Sequence, residues 1–283
     1  MDIYLLEAVI NGLLLGGVLA LLALGLNLIF GVVDVVWIAY ADLVMCGMYM
    51  VYWLHVWGWP LWAACAAAVA GVAVLGLLVH LLIIAPVLRA PPINQLLATG
   101  GLLFFLQSFA TLLFGTDFRN IGVRLPIIEM GDIYISFARL LAFGFALVGA
   151  TVLYVFLKRT YLGVAIRAIS QDREIMGLMG VDQRRVYLVT SMIGGALAGL
   201  GGCLLVLQYD VHPFLGNTFG PLIFMICVLG GLGNMIGGFI ASFIISQIIS
   251  IGGYYYSTEW AYVLAFTLFI VLMFIRPRGI LAR

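Results

Sequence analysis

Long apolar runs separated by short polar interludes set the pattern of this chain. A helix crosses the hydrocarbon core of a bilayer in about 20 apolar residues. On that ruler, clear spans fall near 6–30, 60–84, 94–114, 137–157, 186–207 and 260–275. Two regions do not fit. Residues 31–57 begin among the breakers Gly31, Asp34 and Asp42, whereas 217–251 exceed one crossing and are interrupted by Gly230, Gly231, Gly233, Asn234, Gly237 and Gly238. Both are predicted to be discontinuous helices. The expected fold is an all-α polytopic membrane protein of about eight segments, forming a single transmembrane domain over residues 1–283.

One long stretch is polar. Residues 158–186, KRTYLGVAIRAISQDREIMGLMGVDQRRV, carry six of the thirteen Lys and Arg residues. Ser170 and Asp172 are candidate helix caps, acidic residues follow at Asp172 and Glu174, and Ile175, Met176 and Met179 fall on one side of a helix closed by Gly180. The pattern predicts a short amphipathic helix at the membrane surface that presses an apolar stripe into another body. The plainer alternative is a solvated basic loop that only sets topology.

Placing 158–186 in the cytoplasm puts ten basic residues on that side and leaves Arg119, Arg124 and Arg139 outside. The amino terminus is then outside and the carboxyl terminus cytoplasmic. Residues 217–251 must enter and leave on the same side, as a half-helix and a return helix. Small residues recur at spacing four at Gly12, Gly16 and Ala20 and again at Gly194, Ala198 and Gly202, in helices expected to run in opposite directions. That suggests either an inverted repeat or close helix packing alone.

Composition removes several classes of function. With 65% hydrophobic and 9% charged residues and a mean hydropathy of +1.22, the chain cannot hide its apolar surface as a soluble globule. The net charge of +1, with basic residues at the ends of spans, offers no nucleic-acid surface. Cys46, Cys65, Cys203 and Cys227 sit in apolar runs and read as small buried hydrophobes. The opening MDIYLLEAVI lacks a basic n-region, so the first apolar segment is expected to stay as a membrane helix. The only lysine, Lys158, follows Leu157 and makes no phosphate loop, and Gly231-Leu-Gly233 has Ile236 where a dinucleotide fingerprint needs glycine. The chain is not expected to be an enzyme or to hold a cofactor or metal.

Individual polar residues carry competing readings. His55 belongs with Trp53, Trp57 and Trp59 to an interfacial belt, while His80 and His212 suit packing or solvation. The loop 115–136 mixes charges of both signs and could touch a soluble partner or simply connect two helices. Asp42 lies in the run WIAYADLVMCGMYM, where an unpaired charge must face protein, water or a pathway. It would serve an ion-coupled carrier working alone, or, with Asp34, cap a broken helix.

Five stretches carry a family resemblance: NGLLLGGVLALLALGLNLIFGVVDVV at 11–36, RTYLGVAIRAISQDREIMGLMGVDQRRV at 159–186, GGALAGLGGCLL at 194–205, VLGGLGNMIGG at 228–238 and RPRG at 276–279. The second and fourth together are specific. The chain resembles the permease subunits of branched-chain and hydrophobic amino acid ABC importers, of the shorter LivH-like type. The resemblance implies pairing with a second, homologous permease, two cytoplasmic ATPase subunits that hold ATP and Mg, and an extracytoplasmic substrate-binding protein. It matches Arg167 to Val181 to the coupling helix that docks on the ATPase, with Arg167, Ser170, Asp172, Glu174, Met176 and Met179 as candidate contacts. Candidate pathway residues are Trp37, Tyr40, Asp42, Asn217, Gly230, Gly231 and Asn234. One departure stands out: where many relatives read approximately INFAHGD, residues 36–42 read VWIAYAD. Trp37 replaces an amide and Tyr40 an imidazole, which suits a bulkier or aromatic substrate, a tighter gate, or packing.

Overall fold

Backbone N–H and C=O groups find no water in a bilayer, so an apolar run satisfies them internally as a helix. The computed structural model describes residues 3–123, 126–130, 133–276 and 279–280. In chain order its elements are α1 (Ile3–Val33), α2 (Tyr40–Val56), α3 (Leu61–Val79), a π-helical turn (His80–Ile84), α4 (Ala85–Val87) and α5 (Pro92–Phe114). A short antiparallel hairpin, β1 (Ile127–Met130) with β2 (Ile133–Ser136), precedes α6 (Phe137–Arg159). Then come α7 (Tyr161–Gln171), α8 (Arg173–Leu178), α9 (Gln183–Leu205), α10 (Leu215–Gly230), α11 (Met235–Tyr255) and α12 (Thr258–Ile275).

Among the described residues seven helices are long and apolar enough to cross a membrane: α1, the continuous α3 to α4 rod, α5, α6, α9, α11 and α12. Six of them coincide with the six clear spans expected from sequence and the seventh, α11, falls in the 217–251 region, so the count is seven where about eight segments were expected. The hairpin between α5 and α6 is an addition to the helical fold.

Helix α1 forms the axis, packed by α11, α6, α9 and α10. Its small residues explain the closeness. A Cβ on Gly12 would run into Gln247, and one on Gly16 into Ser246. The same helix pair is stitched by Gln247 Nε2 donating to Val9 O at 3.0 Å and Ser250 Oγ donating to Ala8 O at 2.6 Å. Helix α9 runs antiparallel to α1, with Gly194 against Ile29 and Gly201 against Leu22. On its far side Gly199 lets α3 approach until a Cβ would lie 3.0 Å from Val69 Cα. The second small-residue stripe thus serves several neighbours, whereas the first serves α11.

The two irregular regions have local causes. Helix α1 closes at Asp34, a non-glycine residue with φ 59°, whose N–H donates to Phe30 O at 2.8 Å. Residues 34–39 are non-helical, and Tyr40 then lies against Gly25, about 12 Å back along α1 from its end. The second region divides into α10, of 16 residues, and α11. Gly231 (φ 98°) and Gly233 (φ 80°) make the turn, and Asn234 caps α11 by accepting from Gly237 N at 3.1 Å.

The polar stretch 158–186 is two helices, not one. Thr160 caps α7 through Gly163 N at 3.0 Å, and Asp172 caps α8 through Ile175 N at 3.0 Å. Ser170 caps nothing: its hydroxyl donates to Arg167 O at 2.7 Å, a local bond that short polar side chains readily make.

Candidate functional site

The break after α1 places two bulky aromatics inside the bundle. Trp37 and Tyr40 are each 1% exposed and meet edge to face at 6.5 Å. The Tyr40 hydroxyl donates to Gly194 O at 3.2 Å, which fixes the start of α2 against α9. Because residues 34–39 are not helical, their backbone needs other partners, and Thr99 of α5 donates to Val36 O at 3.0 Å.

Trp37 and Tyr40 border a cavity of about 540 Å³ between α2, α5 and α10. Leu26, Leu103, Pro221 and Phe224 supply apolar wall, and Asn217 and Gly216 supply the first turn of α10. Behind Gly216 lies Asp42, wholly buried. The amide of Gln107 on α5 donates to Asp42 Oδ1 at 3.0 Å and to Asn217 Oδ1 at 2.9 Å, joining three helices through one side chain. Among the described residues Asp42 Oδ2 and Trp37 Nε1 have no hydrogen-bond partner, an uncommon condition for buried polar atoms. Asp42 thus lies behind the cavity lining, whereas Asn217 brings an amide to it.

The remaining pathway candidates lie elsewhere. Gly230, Gly231 and Asn234 belong to the turn between α10 and α11, about 20 Å along α10 from Asn217. A Cβ on Gly230 would strike the backbone of Gly237, so this turn needs glycine. Asn27, fully buried on α1, secures it by accepting from Gly233 N at 3.1 Å.

At that same end, α8 is tied to α1. Arg173 pairs with Asp34 at 3.4 Å, and its carbonyl accepts from Gln183 Nε2 at 2.6 Å. The outward apolar residues of α8 and its end are Ile175, Leu178 (89% exposed) and Met179 (74% exposed). Met176 instead packs against the core, so Leu178 takes the place the periodicity gave it. Asp172 is exposed as the cap of α8. Arg167 and Ser170 face a different way, into a cavity shared with the start of α11. The side chain of Glu174 lies outside the described residues.

The opposite end is closed by a polar clip. Arg119 exchanges backbone bonds with Val211, donates from Nη2 to Phe114 O at 2.6 Å, and lies 5.3 Å over the Trp53 ring. Phe118 meets the His212 ring at 4.7 Å with the two planes tilted by 45°, and Asn120 donates to Asp210 at 2.8 Å. Partial burial holds the His212 imidazole below its ordinary value, while Asp210 pulls the other way.

Gln107, Thr99 and Asn27 were not singled out from sequence, and Arg119 was read only as an outside charge in the 115–136 loop. Gln107 and Asn27 carried a usable signal, since each is an isolated amide within an apolar span.

A family model described as branched-chain amino acid transport system, permease component, matches residues 8–273. The high-affinity branched-chain amino acid transport system permease protein LivH of Escherichia coli (strain K12) is 27% identical, with 99% of this chain and 96% of that protein covered. The permease protein BraD of Pseudomonas aeruginosa is 28% identical, with 98% and 96% covered. Among solved structures, PsaBC from Streptococcus pneumoniae in complex with Fab aligns with a TM-score of 0.53 at 15% identity, covering 95% of this chain and 91% of that one. That last likeness is one of fold.

Proposed function

The chain belongs to the family of permease components of branched-chain amino acid transport systems, and from that premise we propose that it forms half of the membrane pathway of an ABC importer for branched-chain or other hydrophobic amino acids, or related small polar solutes. It is a multi-pass membrane transport component and not an enzyme. The proposed location is a bacterial inner membrane, with the amino terminus outside and the carboxyl terminus in the cytoplasm. Its proposed partners are a second homologous permease, two cytoplasmic ATPase subunits that bind ATP and Mg, and an extracytoplasmic binding protein that delivers the solute.

One observation carries the reading: the Arg173–Asp34 pair joins α8 to the first residue of the 34–39 segment, whose Trp37 borders the cavity. In this proposal the ATPase grips Ile175, Leu178 and Met179, with Asp172 at the rim and Glu174 a further candidate contact. Movement of α8 is passed through Asp34 to Trp37 and Tyr40, which open or narrow the cavity. The discontinuities at 34–39 and 231–234 act as joints, with Gly230, Gly231 and Asn234 at the second. Asn217 and the backbone at the start of α10 offer polar contacts to a solute's charged ends, and the apolar wall takes its side chain. Asp42 and Gln107 hold that turn in place.

The test uses the assembled importer in lipid. Replacing Leu178 and Met179 together by Asp should abolish co-purification of the ATPase subunits or substrate-stimulated ATP turnover. The thermal melt should not move, because both side chains are exposed. Unchanged assembly and turnover would overturn the docking assignment. The unpartnered Oδ2 of buried Asp42 favours a second reading, an ion-coupled carrier that works alone. Uptake by the isolated chain in liposomes, lost in Asp42→Asn, would establish that reading. ATP-driven uptake that survives Asp42→Asn would remove it.

A further inference from the structure

A second cavity, of about 840 Å³, lies at the polar end of the bundle between α6, α7 and the start of α11. Lys158, Arg167 and Ser170 line it, and no carboxylate does so among the described residues. Among the described residues neither cation makes an ion pair, in contrast to Arg173 and Arg185 nearby, which are paired. Lys158 sits in the last turn of α6, at the depth where a membrane helix meets the headgroup layer, with its ammonium 5.7 Å from the Tyr154 ring centroid. The first turn of α11 adds the positive end of a 21-residue helix to the same space.

This cavity does not end at the polar surface. It shares Tyr154, Leu157, Met235 and Ile236 with a groove of about 280 Å³ that continues along α6 and α11 past Thr151 and Leu147. The groove is floored by Leu24 of α1, whereas the cavity beside Trp37 is bordered by Leu26. Two residues on a helix are turned about 200° apart, so the groove and that cavity lie on opposite flanks of α1. A cationic head continuous with an apolar channel, on the flank away from the solute cavity, matches one kind of occupant.

We propose that an anionic glycerophospholipid binds here, its phosphate between Lys158 and Arg167 and one acyl chain in the groove between α6 and α11. Basic recesses between membrane helices on the cytoplasmic side recognise lipid phosphates through this same charge arrangement. Arg167 and Ser170, candidates for motor docking on sequence grounds, then belong to the lipid contact. The coupling segment would be steadied by the membrane as well as by the ATPase.

The experiment is native mass spectrometry of the purified full chain, delipidated and then given equal amounts of phosphatidylglycerol and phosphatidylethanolamine. Phosphatidylglycerol should be retained preferentially. Lys158→Gln should cut that preference about fivefold, and Lys158→Arg should keep it. Thr151→Trp, which fills the groove from an exposed position, should weaken retention of the lipid without moving the thermal melt. Equal retention of both lipids, or a preference indifferent to Lys158→Gln, would overturn the proposal. So would a preference that Thr151→Trp leaves intact and inorganic phosphate displaces, since the cavity would then take a free phosphate.

Discussion

An amide that bridges two acceptors inside a bilayer has no water to replace it. Gln107→Leu would leave Asp42 Oδ1 and Asn217 Oδ1 without their donor and should destabilise the protein by about 2 kcal/mol. Adding Asp42→Asn should recover part of that loss, because a neutral amide is cheaper to leave unpaired than a carboxylate. Thermal melts of the single and double variants in one detergent check both. His212 gives the clip between residues 114–120 and 210–212 a pH dependence of definite sign. Its folded value lies below the ordinary 6.5, so the unfolded chain takes up the proton more readily. Stability is fully present above about 6.5 and is lost as pH falls towards the depressed folded value. Phe118 lies against this ring, and the Asp210 charge acts on it. The melting temperature should fall between pH 7 and pH 5 in the wild type, with a shallower slope in His212→Gln.

At the scale of elements, the Arg173–Asp34 pair is half exposed and should add well under about 1 kcal/mol to stability. Its effect is expected in transmission. Asp34→Ala should leave the melt nearly unchanged while lowering substrate-stimulated ATP turnover in the assembled importer, and the exchange Asp34→Arg with Arg173→Asp should restore it in part. Spans α5, α6 and α9 were readable because each is one apolar run with polar ends. The break at residue 34 was readable too, from Gly31 and Asp34. What escaped is what depends on pairing across the fold. Asp42 announced itself in an apolar run, but its donor lies 65 residues away on another helix. Ser170 and Met176 were misplaced for a related reason: the hydroxyl found a carbonyl one turn back, and the two-helix form of 161–178 turned Met176 inward. Spacing showed the small-residue stripes without showing which helix each would meet.

For the molecule as a whole, the helices carry the clip at 115–123 and the α8 surface to opposite ends of the bundle. The four native cysteines lie in or against the helical core, which leaves both ends free of competing thiols. In intact cells, Phe118→Cys should react with a membrane-impermeant maleimide, and Leu178→Cys should react only after the membrane is opened. Labelling of both from one side would break the proposed orientation.

The enclosure of α1 has a consequence for how the protein is made. This helix is synthesised early, yet its most extensive neighbour, α11, starts at Met235. At about 5–20 residues per second the ribosome needs on the order of 10–40 s to cover that distance. Throughout that interval the nascent α1 presents its glycine stripe, and an Asn27 still waiting for Gly233, to lipid or to the insertion machinery. The future axis of the molecule is thus its least protected part during translation.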